Sequence, residues 1–260
     1  TYVDGLLALI NPKTKRIHSC FNQTVTVTGR ISSTEPNMQN IPVRYSLGRE
    51  IRKMFVPGEG YSYVDADYSQ IELRILAHIA DDKEMIAAFE NDVDIHAVTA
   101  SQVMGVDLKD VTEQMRSAAK AVNFGIVYGI GEFSLAQDLK ISISDAKKYI
   151  EGYLQHYKGV REYMEKIKET AEKQGYVETL FARRRYIPEL KSPNKNIRSF
   201  GQRVALNTPV QGSAADIIKL AMVKVFKRLK DEKLSAKLVL QVHDELIVEA
   251  PDSEVEKVKK

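Results

Sequence analysis

Two acidic groups stand at the ends of short apolar segments, where they could bind divalent cations. Asp67 closes an apolar run that predicts a strand turning into a helix, and His243, Asp244 and Glu245 lie at the bend of a predicted hairpin. Neighbouring carboxylates repel one another unless a cation lies between or near them, and carboxylate oxygens suit Mg²⁺. Together Asp67 and the hairpin bend predict a two-metal site. Taken singly, such acids are commonly helix caps or surface residues.

A second group has the spacing of one helix face. Arg116, Lys120, Phe124 and Tyr128 follow one another at intervals of four residues. Four helical positions turn about 40° past a full turn, so these side chains share a stripe roughly 120° wide. Two cations followed by two aromatic rings match a nucleoside triphosphate, which has charged phosphates at one end and a flat base at the other. The alternative is an amphipathic helix with both aromatic rings in the core and both cations in solvent.

Other polar residues are candidates for contacts with nucleic acid. His96, early in its predicted helix, could donate to a phosphate oxygen. The minor groove presents purine N3 and pyrimidine O2 acceptors at every base pair, so amide and guanidinium donors there bind without reading sequence. The candidates are Arg30, Asn37, Gln39, Arg203, Asn207 and Gln211. Between residues 183 and 203 seven basic residues accompany one acid, Glu189, which suits phosphate neutralisation and equally a solvated surface.

The composition is that of a globular protein. Of 260 residues, 43% are hydrophobic and 28% charged, and the net charge of +3 is weak evidence for a polyanionic partner. Cys20 is alone, so an intramolecular disulfide is excluded and a reducing compartment is favoured. The apolar runs are too short for a membrane helix. The chain begins at Thr1 without an initiator methionine, and we expect it to be part of a longer protein.

The order of elements predicts an α+β fold in which a helical region interrupts a sheet. Strands and loops are expected over the first 60 residues, for example at Phe21–Thr28, followed by a strand at Tyr61–Asp67. The predicted helices are Ser69–Ala80, Asp94–Met104, Thr112–Gly129, Ser144–Tyr157, Val160–Gly175, Asn196–Asn207 (ended by Pro209) and Ser213–Lys230. The hairpin strands are predicted at Lys237–Val242 and Leu246–Glu249.

The candidate motifs, taken in order, resemble those of a known family. DYSQIELR from Asp67, R-xxx-K-xxx-F-xxx-YG from Arg116 and VHDE from Val242 are similar to motifs A, B and C of family A DNA polymerases. TGRISSTEPNMQNIP (Thr28–Pro42) and the segment Arg203–Asp216 resemble the same family, so the similarity covers essentially the whole chain.

The resemblance implies a right-hand polymerase fold with an antiparallel palm sheet, an inserted helical fingers subdomain and no thumb. The expected division is palm at 1–92, fingers at 93–192 with the motif B helix at 112–129, and a second palm part at 193–260 that is truncated at its C-terminal end. The implied activity is template-directed DNA synthesis with two Mg²⁺ ions, for which Mn²⁺ is a substitute. Primer–template DNA and dNTPs are the implied partners of a cytoplasmic monomer, in a bacterial or phage-infected cell, with no membrane contact.

The same resemblance assigns roles to single residues. It makes Asp67, Asp244 and the carbonyl of Tyr68 metal ligands and Glu245 an auxiliary acid. The implied nucleotide-binding residues are Arg116, Lys120 (also the proton donor to pyrophosphate), His96, Phe124, Tyr128, Gln70 and Glu72, a steric gate against the ribose 2′-hydroxyl. The implied DNA-binding residues are Arg30, Asn37, Gln39, Arg203, Asn207, Gln211 and His243.

Two departures and two alternatives accompany this assignment. Ser117 replaces the second of two arginines that usually begin motif B, and Ala182 replaces the glycine of the family's GRRR loop. A single-subunit RNA polymerase shares the palm and the Lys/Tyr helix, but Glu72 argues against it because a ribonucleotide needs room for its 2′-hydroxyl. A fragment that binds nucleic acid without efficient catalysis is the non-enzymatic alternative.

Overall fold

The structure is a computed structural model that describes residues 2–42 and 46–260. The side chains of Tyr2, Val3, Ser46, Leu47 and Arg49 lie outside this description. The helices are α1 Tyr2–Leu7, α2 Ser46–Lys53, α3 Ile71–Ile79, α4 Lys83–Glu90, α5 Ile95–Met104, α6 Glu113–Val127, α7 Glu132–Leu139, α8 Ile143–His156, α9 Lys158–Gln174, α10 Lys195–Asp231 and α11 Val255–Val258. The strands are β1 Cys20–Asn22, β2 Ser32–Thr34, β3 Tyr61–Asp67, β4 Tyr176–Glu178, β5 Arg184–Tyr186, β6 Lys237–Val242 and β7 Glu245–Pro251. This mixture of helices and sheets agrees with the predicted α+β class.

The chain forms two compact units. The sheet unit contains Thr1–Ser69 and Ala215–Lys260, and the helical unit contains Gln70–Ala214. The helical unit begins before the expected fingers because α3 packs against α6 and α9. The two units are defined by packing, whereas the division into palm and fingers was expected from the family resemblance. That division stays a prediction.

The sheet unit is built on three antiparallel strands in the order β3-β7-β6. The register pairs Asp67 of β3 and Val242 of β6 with the same residue, Glu245, which begins the central strand. One face of the sheet packs on an apolar cluster formed by Leu229, Ala236, Val248 and Ala250. The predicted strand Tyr61–Asp67 and the predicted hairpin are confirmed, with β7 beginning one residue earlier than expected.

The N-terminal part of the sheet unit contains fewer strand residues than the sequence predicts. In the Phe21–Thr28 segment only the first two residues belong to a strand, β1, which pairs with β2. Turns and bends follow, and the Thr26 hydroxyl donates to the Arg30 carbonyl. Side-chain hydrogen bonds to the backbone compete with strand pairing in a Thr-rich segment, which explains the shorter strand.

Most helices of the helical unit begin at polar caps. Asp94 accepts hydrogen bonds from the first turn of α5, and Thr112 does so for α6. The helix predicted to begin at Ser144 is capped instead by Ser142, whose hydroxyl accepts from Asp145 N at 3.0 Å. Both serines are acceptable caps by residue type, and Ser142 is the one whose extended backbone places its hydroxyl over the first turn.

The predicted break at Pro209 is wrong, because α10 runs through it without ending. Proline inside a helix removes one backbone hydrogen bond and crowds the preceding turn, at a cost of about 3 kcal/mol. Burial on both sides of the proline offsets this cost: Ala205, Leu206, Val210, Ala214 and Ile218 are all buried. The hydroxyls of Thr208 and Ser213 also donate to the carbonyls of Val204 and Pro209, at 2.7 and 2.6 Å.

Candidate functional site

The predicted metal-binding acids gather at one end of the sheet unit. Asp67 ends β3 directly opposite Glu245, and Asp244 precedes Glu245 in the two-residue bend. His243, the first residue of this bend, has a φ of 55°, which helps the chain to reverse between two paired strands. The amide of Tyr68 donates to the Asp244 carbonyl at 3.1 Å, which holds the end of β3 against the bend.

Burial and mutual repulsion raise the pKa values of two carboxyl groups at this acidic end, those of Asp67 and Glu245. The pKa of Asp67 is raised by burial and by the charges of Asp244 and Asp65, against one lowering hydrogen bond from the Tyr68 amide. Burial, together with a hydrogen bond to Asp65, raises the pKa of Glu245 to about 7. Concentrated negative charge of this kind is relieved by a proton or by a bound cation.

The oxygen donors at this acidic end are of the type that Mg²⁺ binds. In the described residues there is no group of three or more His, Cys, Asp or Glu side chains arranged to hold a metal. Mg²⁺ at phosphate-processing sites is commonly bound by one or two carboxylates, with water and substrate phosphates completing its shell. Asp67 and Asp244 supply two carboxylates at this end of the sheet unit.

Two of the predicted DNA-binding residues of the sheet unit have structural contacts. Gln39 donates through Nε2 to the carbonyl and the side-chain oxygen of Gln241, at 3.1 and 3.0 Å. Gln241 is buried on β6 and donates to the His243 carbonyl in the bend. Asn37 accepts from the Gln39 amide at 3.0 Å and caps a short 3-10 helix, Met38–Asn40. Gln39 is thus connected to the acidic end through Gln241, which the sequence analysis missed.

The four-residue stripe of α6 lies on the side of the helix that the core does not cover. The buried residues of this helix are Ala119, Val122, Asn123, Gly125, Ile126 and Val127. Arg116 and Phe124 are half-buried, Lys120 is exposed, and Tyr128 just after the helix is 40% exposed. The alternative that places both aromatic rings in the core is therefore wrong. His96 of α5 lies beside the stripe, because its ring is 5.9 Å from that of Phe124.

Asp94 connects two of the predicted phosphate-binding residues, although the sequence predicted it only as the first residue of a helix. Its Oδ1 accepts from the backbone amides of His96 and Ala97 at 2.9 and 3.3 Å. Its Oδ2 accepts from Arg116 Nε at 2.6 Å. Burial alone would raise the pKa of Asp94, but these hydrogen bonds and the Arg116 charge lower it. The ionised carboxylate therefore holds Arg116 beside the N-terminus of α5.

Glu72 and Gln70 lie at the start of α3. Glu72 is 7% exposed, and its Oε2 accepts from the Tyr128 hydroxyl at 2.8 Å. This bond joins a carboxylate of α3 to the last residue of the aromatic stripe. Gln70, just before the helix, has a φ of 55° and makes no side-chain capping bond. A residue other than glycine is uncommon in this conformation, which turns the chain sharply between β3 and α3.

The polar residues of α10 share one face and reach the end of the stripe. Arg203, Asn207 and Gln211 are spaced by four residues on one continuous helix. A Cβ at Gly129, directly after Tyr128, would lie 3.2 Å from Arg203 Cγ and 3.1 Å from Leu206 Cδ1. Glycine thus permits close approach of the stripe to this polar face. The buried Oδ1 of Asn207 has no hydrogen-bond partner among the residues described.

The basic stretch between residues 183 and 203 is partly committed to structural contacts. Arg184 pairs with Glu178 at 2.7 Å and lies 4.9 Å over the Tyr176 ring. Arg185 donates to the Thr208 hydroxyl at 3.0 Å, and burial lowers its pKa. Lys191 and Lys195 are exposed. Of the two departures, Ser117 is exposed on α6, and Ala182 has a φ of 60° in the β4–β5 turn.

Comparisons with known proteins show the family to which this chain belongs. The model of DNA polymerase family A matches residues 1–260. DNA polymerase I of Caldicellulosiruptor bescii is 56% identical over 259 residues, which are 100% of this chain and 30% of the relative. DNA polymerase I of Bacillus subtilis is 55% identical over 100% of this chain and 30% of its own length. The chain thus spans about 30% of the length of these curated relatives.

A solved structure with the same fold has been determined with ligands. It is described as the POL domain of Pol1 from M. smegmatis in complex with DNA primer–template and dNTP. It is 48% identical in sequence and has a TM-score of 0.95. The matched region covers 99% of this chain and 45% of the M. smegmatis chain. Across the described ranges 2–42 and 46–260, no helix is both long and apolar enough to cross a membrane.

Proposed function

Because this chain belongs to DNA polymerase family A, we propose that it catalyses template-directed addition of deoxynucleotides to a primer 3′-hydroxyl, with release of pyrophosphate. The observation that carries the proposal is the uncovered stripe of α6, which orders two cations and two aromatic rings from Arg116 to Tyr128. The M. smegmatis relative was solved with primer–template DNA and dNTP, and we propose the same partners here.

In this proposal Asp67, Asp244 and the carbonyl of Tyr68 hold two divalent ions, Mg²⁺ or its substitute Mn²⁺. When bound, the ions would lower the pKa of the primer hydroxyl and neutralise charge on the triphosphate. The raised pKa of Asp67 supports the assignment, since like charges gathered at one strand end favour a cation. Glu245 has an auxiliary place beside these ligands.

The residues of the stripe would hold the incoming nucleotide. Arg116, Lys120 and His96 bind the triphosphate, and Lys120 donates a proton to the departing pyrophosphate. Phe124 and Tyr128 lie against the nascent base pair. The hydrogen bond from Tyr128 fixes the Glu72 carboxylate, which supports Glu72 as the group that crowds a ribose 2′-hydroxyl. We also assign Gln70, directly before α3, to nucleotide binding.

Primer–template DNA would be bound by polar residues of this chain. The proposed residues are Arg30, Asn37, Gln39, Arg203, Asn207, Gln211 and His243. The unpartnered Oδ1 of Asn207 supports this, because a buried polar atom without a partner is costly unless a ligand completes it. We equate the sheet unit mainly with the palm and residues 93–192 with the fingers. A monomeric, cytoplasmic enzyme remains our prediction.

The test is primer extension on a defined template with Mg²⁺ and each dNTP in turn, beside Asp244→Ala. We expect extension directed by the template and a loss in the variant on the order of 1,000-fold, equivalent to about 4 kcal/mol of barrier. DNA binding should persist, because this carboxylate is assigned to metal rather than to DNA. Asp231→Ala, which removes an exposed acid at the end of α10, is the matched control.

Each outcome of this assay has a separate meaning. Undiminished extension by Asp244→Ala would show that the metal assignment is wrong. Ribonucleotides offered in parallel distinguish the RNA polymerase alternative, which predicts their efficient use. If the 260-residue chain extends nothing, the same two substitutions in a chain of the relatives' length decide between an inactive fragment and a wrong assignment.

A further inference from the structure

A chain of buried polar groups leads from the interior of the helical unit to His96. Asn123 of α6 contacts His96 Nδ1 through its amide nitrogen at 2.9 Å. The Thr99 hydroxyl donates to the Ile95 carbonyl at 2.8 Å, and it also contacts Asn123 Oδ1 at 3.2 Å and the Tyr157 hydroxyl at 3.1 Å. Asn123, Thr99 and Tyr157 are 0% exposed and His96 is 2% exposed. Buried polar networks are costly unless their members are satisfied, so this chain constrains the orientation of each group.

The direction of these hydrogen bonds determines where His96 carries its proton. In the structure the Asn123 amide has its Oδ1 toward the Thr99 hydroxyl and its Nδ2, which only donates, toward the imidazole. A nitrogen that accepts a hydrogen bond has no proton of its own, so Nδ1 is bare. In a neutral imidazole the proton then lies on Nε2.

The surroundings of His96 favour this neutral form. Burial, with the charges of Arg116 and Lys120 against that of Asp94, lowers the pKa of His96 to about 4. Among the described residues, the side-chain hydrogen bond of His96 is made through Nδ1. His96 also packs against Phe124 of the stripe, at a ring distance of 5.9 Å. A nearly buried ring thus keeps one donor available beside two cations.

We propose that Asn123 is a positioning residue that fixes His96 as the neutral tautomer with its proton on Nε2. His96 then presents an N–H donor, rather than a lone pair, to an anionic triphosphate. Only the identity of the acceptor rests on the proposed function; the control of the tautomer by Asn123 does not. Donation by a neutral ring needs no proton uptake, so this contact is independent of pH near neutrality.

The test is ¹⁵N NMR of the chain labelled at histidine, with long-range ¹H–¹⁵N correlations at pH 7.5. Ring nitrogens with and without a proton differ strongly in shift, and His96→Gln identifies the His96 signals. We expect the Nε2–H tautomer in the unmodified chain and no titration of His96 down to about pH 5, given its pKa of about 4. A Nδ1–H tautomer, or an imidazolium at pH 7.5, would overturn the proposal without any variant.

Substitutions test whether Asn123 determines the tautomer of His96. Asn123→Asp keeps the shape but only accepts, so we expect the proton to move to Nδ1 or the ring to become charged. Thr99→Val removes the hydroxyl that faces Asn123 Oδ1, so we expect a mixture of His96 tautomers. This variant should perturb the fold less than Asn123→Asp does. Asn91→Asp makes the same chemical change at an exposed position and should leave the His96 signals unchanged. If Asn123→Asp and Thr99→Val both fold and both keep the His96 tautomer of the unmodified chain, Asn123 has no role in fixing it.

Steady-state primer extension then tests whether the triphosphate accepts the hydrogen bond from His96. With Asn123→Asp we expect KM for dNTP to rise about 10-fold and kcat to change less than about 3-fold, since a ground-state phosphate contact is lost. A changed tautomer with an unchanged KM would show that His96 does not bind the triphosphate. That result would contradict the proposed function of His96 while leaving the role of Asn123 intact.

Discussion

Ala182 has a backbone conformation that costs most residues free energy. Its φ of 60° lies in the turn between β4 and β5, where its amide donates to the Thr179 carbonyl at 3.0 Å. An L-residue in this region places Cβ close to a carbonyl oxygen, at about 1–2 kcal/mol, whereas glycine does not. The turn therefore has a backbone conformation that glycine would adopt without this cost.

Ala182→Gly should stabilise the protein. Release of the strain exceeds the extra entropy that glycine loses on folding, so we expect the free energy of unfolding to rise by about 0.5–1 kcal/mol. Chemical denaturation followed by circular dichroism measures the change. Ala87→Gly, at an exposed position of α4, is the control and should destabilise by about 1 kcal/mol. Equal losses in both variants would show that Ala182 is not strained.

The sequence predicted individual residues of the candidate site, but it did not predict which distant residues contact them. The spacing of Arg116, Lys120, Phe124 and Tyr128 predicted a shared face, because helix periodicity is a local property. Asp94, Asn123 and Gln241 gained their importance from contacts with residues 22, 27 and 202 positions away. Such pairs depend on how elements pack, and the sequence carries no local signal for them.

At the scale of elements, Asp82 joins two helices at one point. Its Oδ1 accepts from the Met85 amide at 3.0 Å, which caps α4. Its Oδ2 accepts from the amides of Gly159 and Val160 at the start of α9, at 2.9 and 3.3 Å. A Cβ at Gly159 would lie 2.7 Å from the Ala80 carbonyl oxygen, so only glycine permits this approach. Asp82 itself is 3% exposed.

Asp82→Ala should cost about 2–4 kcal/mol, because it removes one cap and leaves the amides that begin α9 without an acceptor in a buried place. Asp82→Asn should cost less, since one oxygen remains and can satisfy one of the two helices. Urea unfolding at neutral pH gives both values. A loss below about 0.5 kcal/mol in Asp82→Ala would mean that water or another group replaces the carboxylate.

The elements themselves were predicted where local patterns decide them. Thr112 and Asp94 are caps by residue type and position, and α5, α6 and β3 follow their predicted ranges closely. The prediction of a break at Pro209 was wrong because the local penalty of proline is fixed, whereas the burial that offsets it comes from residues along α10. Local rules therefore failed where packing over a long helix outweighed a single residue.

At the scale of the whole molecule, charge is concentrated rather than abundant. The net charge is only +3, yet the stretch from Arg183 to Arg203 contains seven basic residues and one acid. Lys191 and Lys195 of this stretch are exposed, and no ion pair involves either of them within the described residues. If DNA follows this stretch, its affinity depends on where the lysines lie rather than on the net charge.

Neutralising Lys191 and Lys195 together should weaken the salt dependence of DNA binding. Each lost phosphate contact reduces the slope of log K against log salt by about 0.9, so Lys191→Gln with Lys195→Gln should lower it by about 1–2. Fluorescence anisotropy of a labelled primer–template between about 50 and 200 mM salt measures the slope. Lys227→Gln with Lys230→Gln removes equal charge from exposed positions of α10 outside the stretch. An equal fall in both double variants would show that net charge alone governs binding, whereas a fall confined to the first pair locates the DNA on the helical unit.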